Sequence, residues 1–309
     1  MEEARFVGGL LGLALGDAQG APYEGGWPER ALWRWIGRTQ AGRRRWTDDT
    51  QMALDLAETL IARGEVDQDD LATRFARSYR WDRGYGPGAA KLLKRIRAGA
   101  TWQEANRSVY PSGSWGNGGA MRAPVLGLFY AHDEPALLAA VMAATEVTHA
   151  HVMAVEGALL VAVVTAGVAR GEGPLEALAR ARACVRKPGF RARMDIAEGW
   201  LRSGLRLQPR QVAAHLGNGI TAETSCVTAI YLALANFRAP FTQLLEDARG
   251  CRGDVDTLGA MAGAIWGAAH GAGALPARLL EEIEDATRIA DTGRALHRVA
   301  ASQRELAAA

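Results

Sequence analysis

Apolar residues recur at helical spacing along almost the whole chain, and that periodicity constrains the fold more than any other feature of the sequence. Segments 50–62, 68–80, 136–146, 152–169, 174–185, 208–215, 223–236, 241–248 and 257–270 all carry Ala, Leu and Met at helical spacing. Gly and Pro punctuate them at 84–88, 111–119, 171–173, 187–189 and 271–276. Alternating β-branched runs are scarce, and neither a low-complexity linker nor an internal repeat divides the chain. The pattern predicts one all-α domain over residues 1–309. A hydrophobic content of 49% with 23% charged residues supplies the core such a bundle needs.

Charge and cysteine usage narrow the function. A formal net charge of +2 lacks the dense basic excess of a nonspecific nucleic-acid binder, so no nucleic-acid partner is expected. Cys184, Cys226 and Cys251 are far apart and outside any CxxC or Cys/His pattern, which reads as free thiols in a reducing compartment. The opening MEEARFVGGLLGLALG has acidic rather than basic leading charges, the wrong start for a signal peptide. The apolar stretch 157–169 is short for a bilayer and reads as a buried helix. These features predict a cytoplasmic protein without a membrane partner.

Two helices begin in unusual chemistry. Trp46-Thr47-Asp48-Asp49-Thr50 precedes one, and Gly253-Asp254-Val255-Asp256-Thr257 precedes another. Thr and Asp are good N-caps, so capping accounts for either cluster alone. A cap needs a single oxygen, however, and each cluster offers several. Adjacent carboxylates repel unless a cation or proton lies between them. Two such clusters, distant in sequence, favour a shared site for a hard cation such as Mg²⁺ or Ca²⁺. The glycine-rich segment from Gly113 to Arg122 lacks the GK[ST] of a P-loop and follows no strand pattern. It reads equally as a structural turn or as a loop whose backbone amides approach an anion, with Trp115 available to stack on a base.

Taken together, these pieces resemble the ADP-ribosylglycohydrolase family, which includes dinitrogenase-reductase-activating glycohydrolases and J1-type crystallins. The resemblance rests on segments 8–25, 46–60, 113–124, 145–159, 216–234 and 253–271, in family order across most of the chain. The joint occurrence of TDDT, GNGGAMR, TH and GDxDT is highly specific. SWGNGGAMR, LGNGITAETSCVTAIY and MAGAIWGA are most similar to the ADP-ribosylserine hydrolase branch. One departure is Gly250-Cys251-Arg252, where small residues are expected, and Arg252 is placed at the rim of the site.

The resemblance implies a compact orthogonal helical bundle with two Mg²⁺ ions in a central cleft. Thr47, Asp48, Asp49, Asp254, Asp256 and Thr257 match the ligands, and Glu24 matches a glutamate that sits over the metals and moves when substrate enters. Glu24, Asp48 and Asp49 are the implied catalytic carboxylates, while Asp17 is a family position read as structural. Ser112, Gly113, Ser114, Trp115, Gly116, Asn117 and Gly118 would hold the diphosphate, adjacent ribose and adenine of ADP-ribose. His149 and Ile220 complete the implied substrate side, and His151 reads as a histidine hydrogen-bonded in place. The implied activity is hydrolysis of ADP-ribose from O-linked acceptors, serine or a small O-acyl group. Removal from arginine is the alternative within the class, and a catalytically silent crystallin-like or ADP-ribose-binding protein the alternative outside it.

Overall fold

The computed structural model describes residues 1–308. It is all-α, with seventeen α-helices, four short 3-10 turns and no strand among the described residues. Local chemistry sets many helix ends. Asp67 accepts the amides of Asp69 and Asp70 ahead of the Gln68–Ser78 helix, and Thr101 forms a reciprocal capping box with Glu104.

The helices that carry the acidic clusters are held by a backbone-to-backbone contact. Glu3–Gly20 packs against Val255–His270. Along their contact, Gly8, Gly12 and Gly16 face Gly267, Gly263 and Gly259, and a methyl at any of the first three would collide with the opposing carbonyl oxygen. A fourth, Gly20, abuts the backbone of Val255 and Asp256. Only glycine allows so close an approach. It brings Asp17 on one helix beside Asp256 on the other.

The Asp48–Arg63 helix joins this pair, and the long Ala286–Ala308 helix covers both it and Glu3–Gly20. On the other flank, Val152–Ala169 packs among Ala123–Phe129, Glu134–Glu146, Pro174–Cys184 and Ala222–Ala235. This helix corrects the reading of its apolar run as too short to span a bilayer. It begins at Val152, runs 18 residues at a mean hydropathy of 2.2, and so meets that length and composition. It is nonetheless 78% buried against its neighbours, as a core helix should be. All three cysteines are unpaired.

Candidate active site

The Asp48–Arg63 helix receives its N-terminal cap from a different helix. Asp17, fully buried, accepts the Thr47 amide at 2.9 Å, the Thr50 amide at 3.0 Å and the Thr50 hydroxyl at 2.5 Å. Thr47 Oγ1 adds a long contact to the Asp49 amide at 3.3 Å. With the amides of this turn answered by Asp17 and Thr47, Asp48 and Asp49 are not needed as caps. Behind them, Arg83 lies 3.7 Å over the Trp46 ring, donates to the Trp46 carbonyl and pairs with buried Glu284, which accepts the Trp46 amide. The turn before Thr47 is thereby fixed from both sides.

The second cluster also declines the capping role. Asp254 occupies the N-cap of Val255–His270, yet its side chain accepts no backbone amide of the first turn. Its Oδ2 accepts instead from Asn117 Nδ2 at 2.6 Å, and the same amide reaches Ser225 Oγ at 3.1 Å. Asn117 in turn is placed by a short antiparallel pairing between the glycine-rich segment and the loop before Ala222–Ala235. Its amide donates to Ile220 O at 3.0 Å, and the Ala222 amide donates to Trp115 O at 3.0 Å. Asn117 is therefore a link between the loop and an acidic cluster.

These clusters converge. Carboxylate oxygens of Asp17, Asp49 and Asp256 lie within 4.8 Å of one another, as do those of Glu24, Asp254 and Asp256. Asp256 belongs to both triads. Thr257 Oγ1 reaches Asp49 Oδ1 at 3.4 Å, and Asp49 Oδ2 is buried without any hydrogen-bond partner. Such an orphan is costly unless a cation or proton answers it. Burial first, then the repulsion of neighbouring carboxylates, drives Asp48, Asp49 and Asp256 well above the usual carboxylate range. Burial raises Asp254 as well, and Asp17 is pushed to about 6. An all-oxygen set of this density fits hard divalent cations, and it offers no His or Cys to favour zinc.

Above the triads lies a cleft of about 360 Å³. Glu24, Asp48, Asp49, Asp254, Asp256 and Thr257 line it together with Ser114 to Gly118, His149 and Ile220. Thr47 sits one layer deeper, 1% exposed, and does not reach the wall. Ser112 and Gly113 face away, into a neighbouring groove of about 340 Å³ that shares only Tyr110 with the cleft. Arg252 is exposed and lines neither, so it forms no part of the cleft wall. It instead closes its helix in the left-handed region, at φ 59°.

Two amides of the glycine-rich loop are already engaged within the protein. The Gly116 amide is taken by Ser114 Oγ at 3.2 Å and the Asn117 amide by Ile220 O. The space a side chain would need at Gly116 and Gly118 is filled by the His149 imidazole. Trp115 stacks on His151 at 4.2 Å and remains 51% exposed, while His151 Nδ1 accepts the Met153 amide as an N-cap. The sequence reading missed the wall formed by Gly84, Gly86, Pro87, Gly88 and Ala89 with Tyr110. Its only signal was the punctuation GYGPG. Tyr110 packs its hydroxyl against Gly88, where a side chain would not fit.

The sequence profile of the ADP-ribosylglycohydrolase family matches residues 2–306. The chain belongs to the ADP-ribosylglycohydrolase family. Among relatives, ADP-ribosylhydrolase ARH3 of Homo sapiens is 30% identical over 340 residues, covering 96% of this chain and 93% of that protein. The YegU protein of Escherichia coli is 32% identical over 322 residues, covering 92% of this chain and 93% of its own. A solved structure described as an ADP-ribosylglycohydrolase-related protein complex superposes with a TM-score of 0.71 at 28% identity, covering 96% of this chain and 98% of the other. This family member thus matches its relatives over nearly their full length.

Proposed function

We propose that this ADP-ribosylglycohydrolase removes ADP-ribose from O-linked acceptors, serine or a small O-acyl group, with two Mg²⁺ ions as cofactors. The observation that carries the proposal is the pair of carboxylate triads sharing Asp256 on the wall of the cleft. Asp48, Asp49, Asp254, Asp256 and Thr257 would hold the cations, with Thr47 behind them. Such ions, when bound, neutralise the carboxylates and polarise oxygens near the anomeric carbon.

The chain's own residues supply the rest. Glu24 is half-buried and hydrogen-bonds Asp256, so its carboxyl is placed to hold or move a proton at the cleft mouth. Hydrolysis breaks the bond between the anomeric carbon and the acceptor oxygen, water adds its oxygen to that carbon, and a proton passes to the departing acceptor. Glu24 is assigned that proton. The outer face of Trp115, opposite His151, is available to the adenine, and Ser114 and His149 face the phosphates and ribose.

The O-linked assignment draws on the serine-branch resemblance of segments 113–122 and 216–234. Incubation with ADP-ribosyl-serine and ADP-ribosyl-arginine peptides, with and without Mg²⁺, tests it. Mg²⁺-dependent release from serine is expected. Release from arginine alone would move the acceptor, and release from neither would favour a silent binding protein. Three unpaired cysteines suit the proposed cytoplasmic location.

A further inference from the structure

Arg122 is a buried cation without a carboxylate partner among the described residues. It is 1% exposed, lies 4.9 Å over the Phe75 ring, and turns both terminal nitrogens to neutral oxygens, while its Nε has no partner. Nη1 reaches Gly118 O at 2.7 Å, and Nη2 reaches Ala144 O at 2.9 Å and Thr148 Oγ1 at 2.8 Å. Thr148, itself buried, places the same Oγ1 2.8 Å from His149 Nδ1.

The direction of this chain follows from donor counting. A guanidinium only donates, so Arg122 occupies a lone pair of Thr148 Oγ1. The hydroxyl hydrogen is left to be donated, and the remaining recorded partner is His149 Nδ1. Only with Nδ1 accepting is that buried hydrogen used rather than left unsatisfied, and a neutral imidazole whose Nδ1 accepts carries its hydrogen on Nε2. Nε2 is the nitrogen turned to the cleft loop, 3.0 Å from where a side chain at Gly116 would begin.

We propose that Arg122 and Thr148 are positioning residues that lock His149 in the Nε2–H tautomer, making it an obligatory hydrogen-bond donor to an acceptor oxygen of the bound ligand. In this form Nε2 has no lone pair to take a proton, so His149 binds and does not act as a base. Burial, reinforced by the Arg122 charge, pushes the imidazole down to about 3, which keeps it neutral at ordinary pH. The same guanidinium holds the Gly118 carbonyl, so loop position and tautomer are set by one residue. The ligand half of the proposal rests on the ADP-ribose reading above; the tautomer half does not.

The test uses the full chain with ¹⁵N-labelled histidine and long-range ¹H–¹⁵N correlation spectra. The chain has six histidines, and loss of one signal in His149→Gln assigns it. The expected ligand-free spectrum shows a single Nε2–H tautomer at His149. Thr148→Val should turn it into a mixture and weaken ADP-ribose binding about tenfold by calorimetry, the loss of one net hydrogen bond. Thr148→Ser should restore both. A wild-type spectrum showing Nδ1–H or a mixture overturns the lock even if Thr148→Val does not fold. A Thr148→Val spectrum matching wild type overturns it as well. Absence of ADP-ribose binding to wild type, with the tautomer intact, would fault the ligand reading and leave the lock standing.

Discussion

Because Asp256 belongs to both carboxylate triads, replacing it should remove both proposed cation sites at once. The perturbation is Asp256→Asn, which keeps the side-chain oxygen that accepts the Thr257 amide at 3.0 Å. A cation that binds only the folded chain stabilises it by about 2.7 kcal/mol when present at a hundred times its dissociation constant. Unfolding entropy of roughly 2.1 cal/mol/K per residue gives about 0.65 kcal/mol/K for this chain. Each filled site should therefore raise Tm by about 4 °C, and two by about 8 °C. Asp254→Asn, which touches one triad, should retain about half of that rise, and Asp256→Asn almost none. Without Mg²⁺, Asp256→Asn should melt no lower than wild type, since it removes repulsion from neighbouring carboxylates. Differential scanning calorimetry in chelator and in excess Mg²⁺ reads all three proteins. An Asp256→Asn variant keeping more than half of the wild-type rise would refute the shared-ligand geometry. An Asp254→Asn variant losing the whole rise would refute two separable sites.

Glu24→Gln should lower kcat on an O-linked substrate by roughly 10²–10⁴ while ADP-ribose still binds; wild-type turnover would pass the proton to Asp48 or Asp49. Gly16→Ala drives a methyl against the Gly259 carbonyl, with backbone on both sides unable to yield. Its urea midpoint should report a loss of about 3 kcal/mol, and near-neutral stability would show that the helices can part cheaply. Asp55, buried and accepting from Ser78 and Gln51, is raised from 3.8 to about 6, chiefly by burial. The stability it contributes is therefore complete below about 3.8 and lost as pH rises through about 6. Asp55→Asn should match wild type at pH 4 and exceed it by up to about 3 kcal/mol at pH 8. A stability difference that does not change with pH would refute this.

Legibility followed the source of each element's stability. The segments read as helices stand where expected within a few residues, because each is a run of helix-forming residues, whether striped or, as in Val152–Ala169, apolar all round. The Glu3–Gly20 helix was not among them. Its glycines blur the stripe and have low helix propensity, and only the opposing helix explains them. Pro87–Arg97 and Pro188–Ser203 were obscured for another reason: their prolines read as breaks and are in fact first-turn residues. At the site, the oxygen-rich clusters were visible because their chemistry is local. Asp17 as a remote cap, and Gly116 and Gly118 as space for His149, depend on contacts across the fold and have no local signature.

The remote cap also bears on how the chain assembles. Thr47 and Thr50 receive their partner from a residue 30 and 33 positions earlier, so the start of their helix is completed only when the first helix docks against it. That first helix in turn needs the glycines of Val255–His270 to pack against. During synthesis Asp17 leaves the ribosome long before Asp256. No nascent fragment ending before the Val255–His270 helix holds both sides of either carboxylate triad. On this geometry the carboxylate cluster is assembled only after the Val255–His270 helix has been made, so the proposed metal ions would be captured no earlier than that.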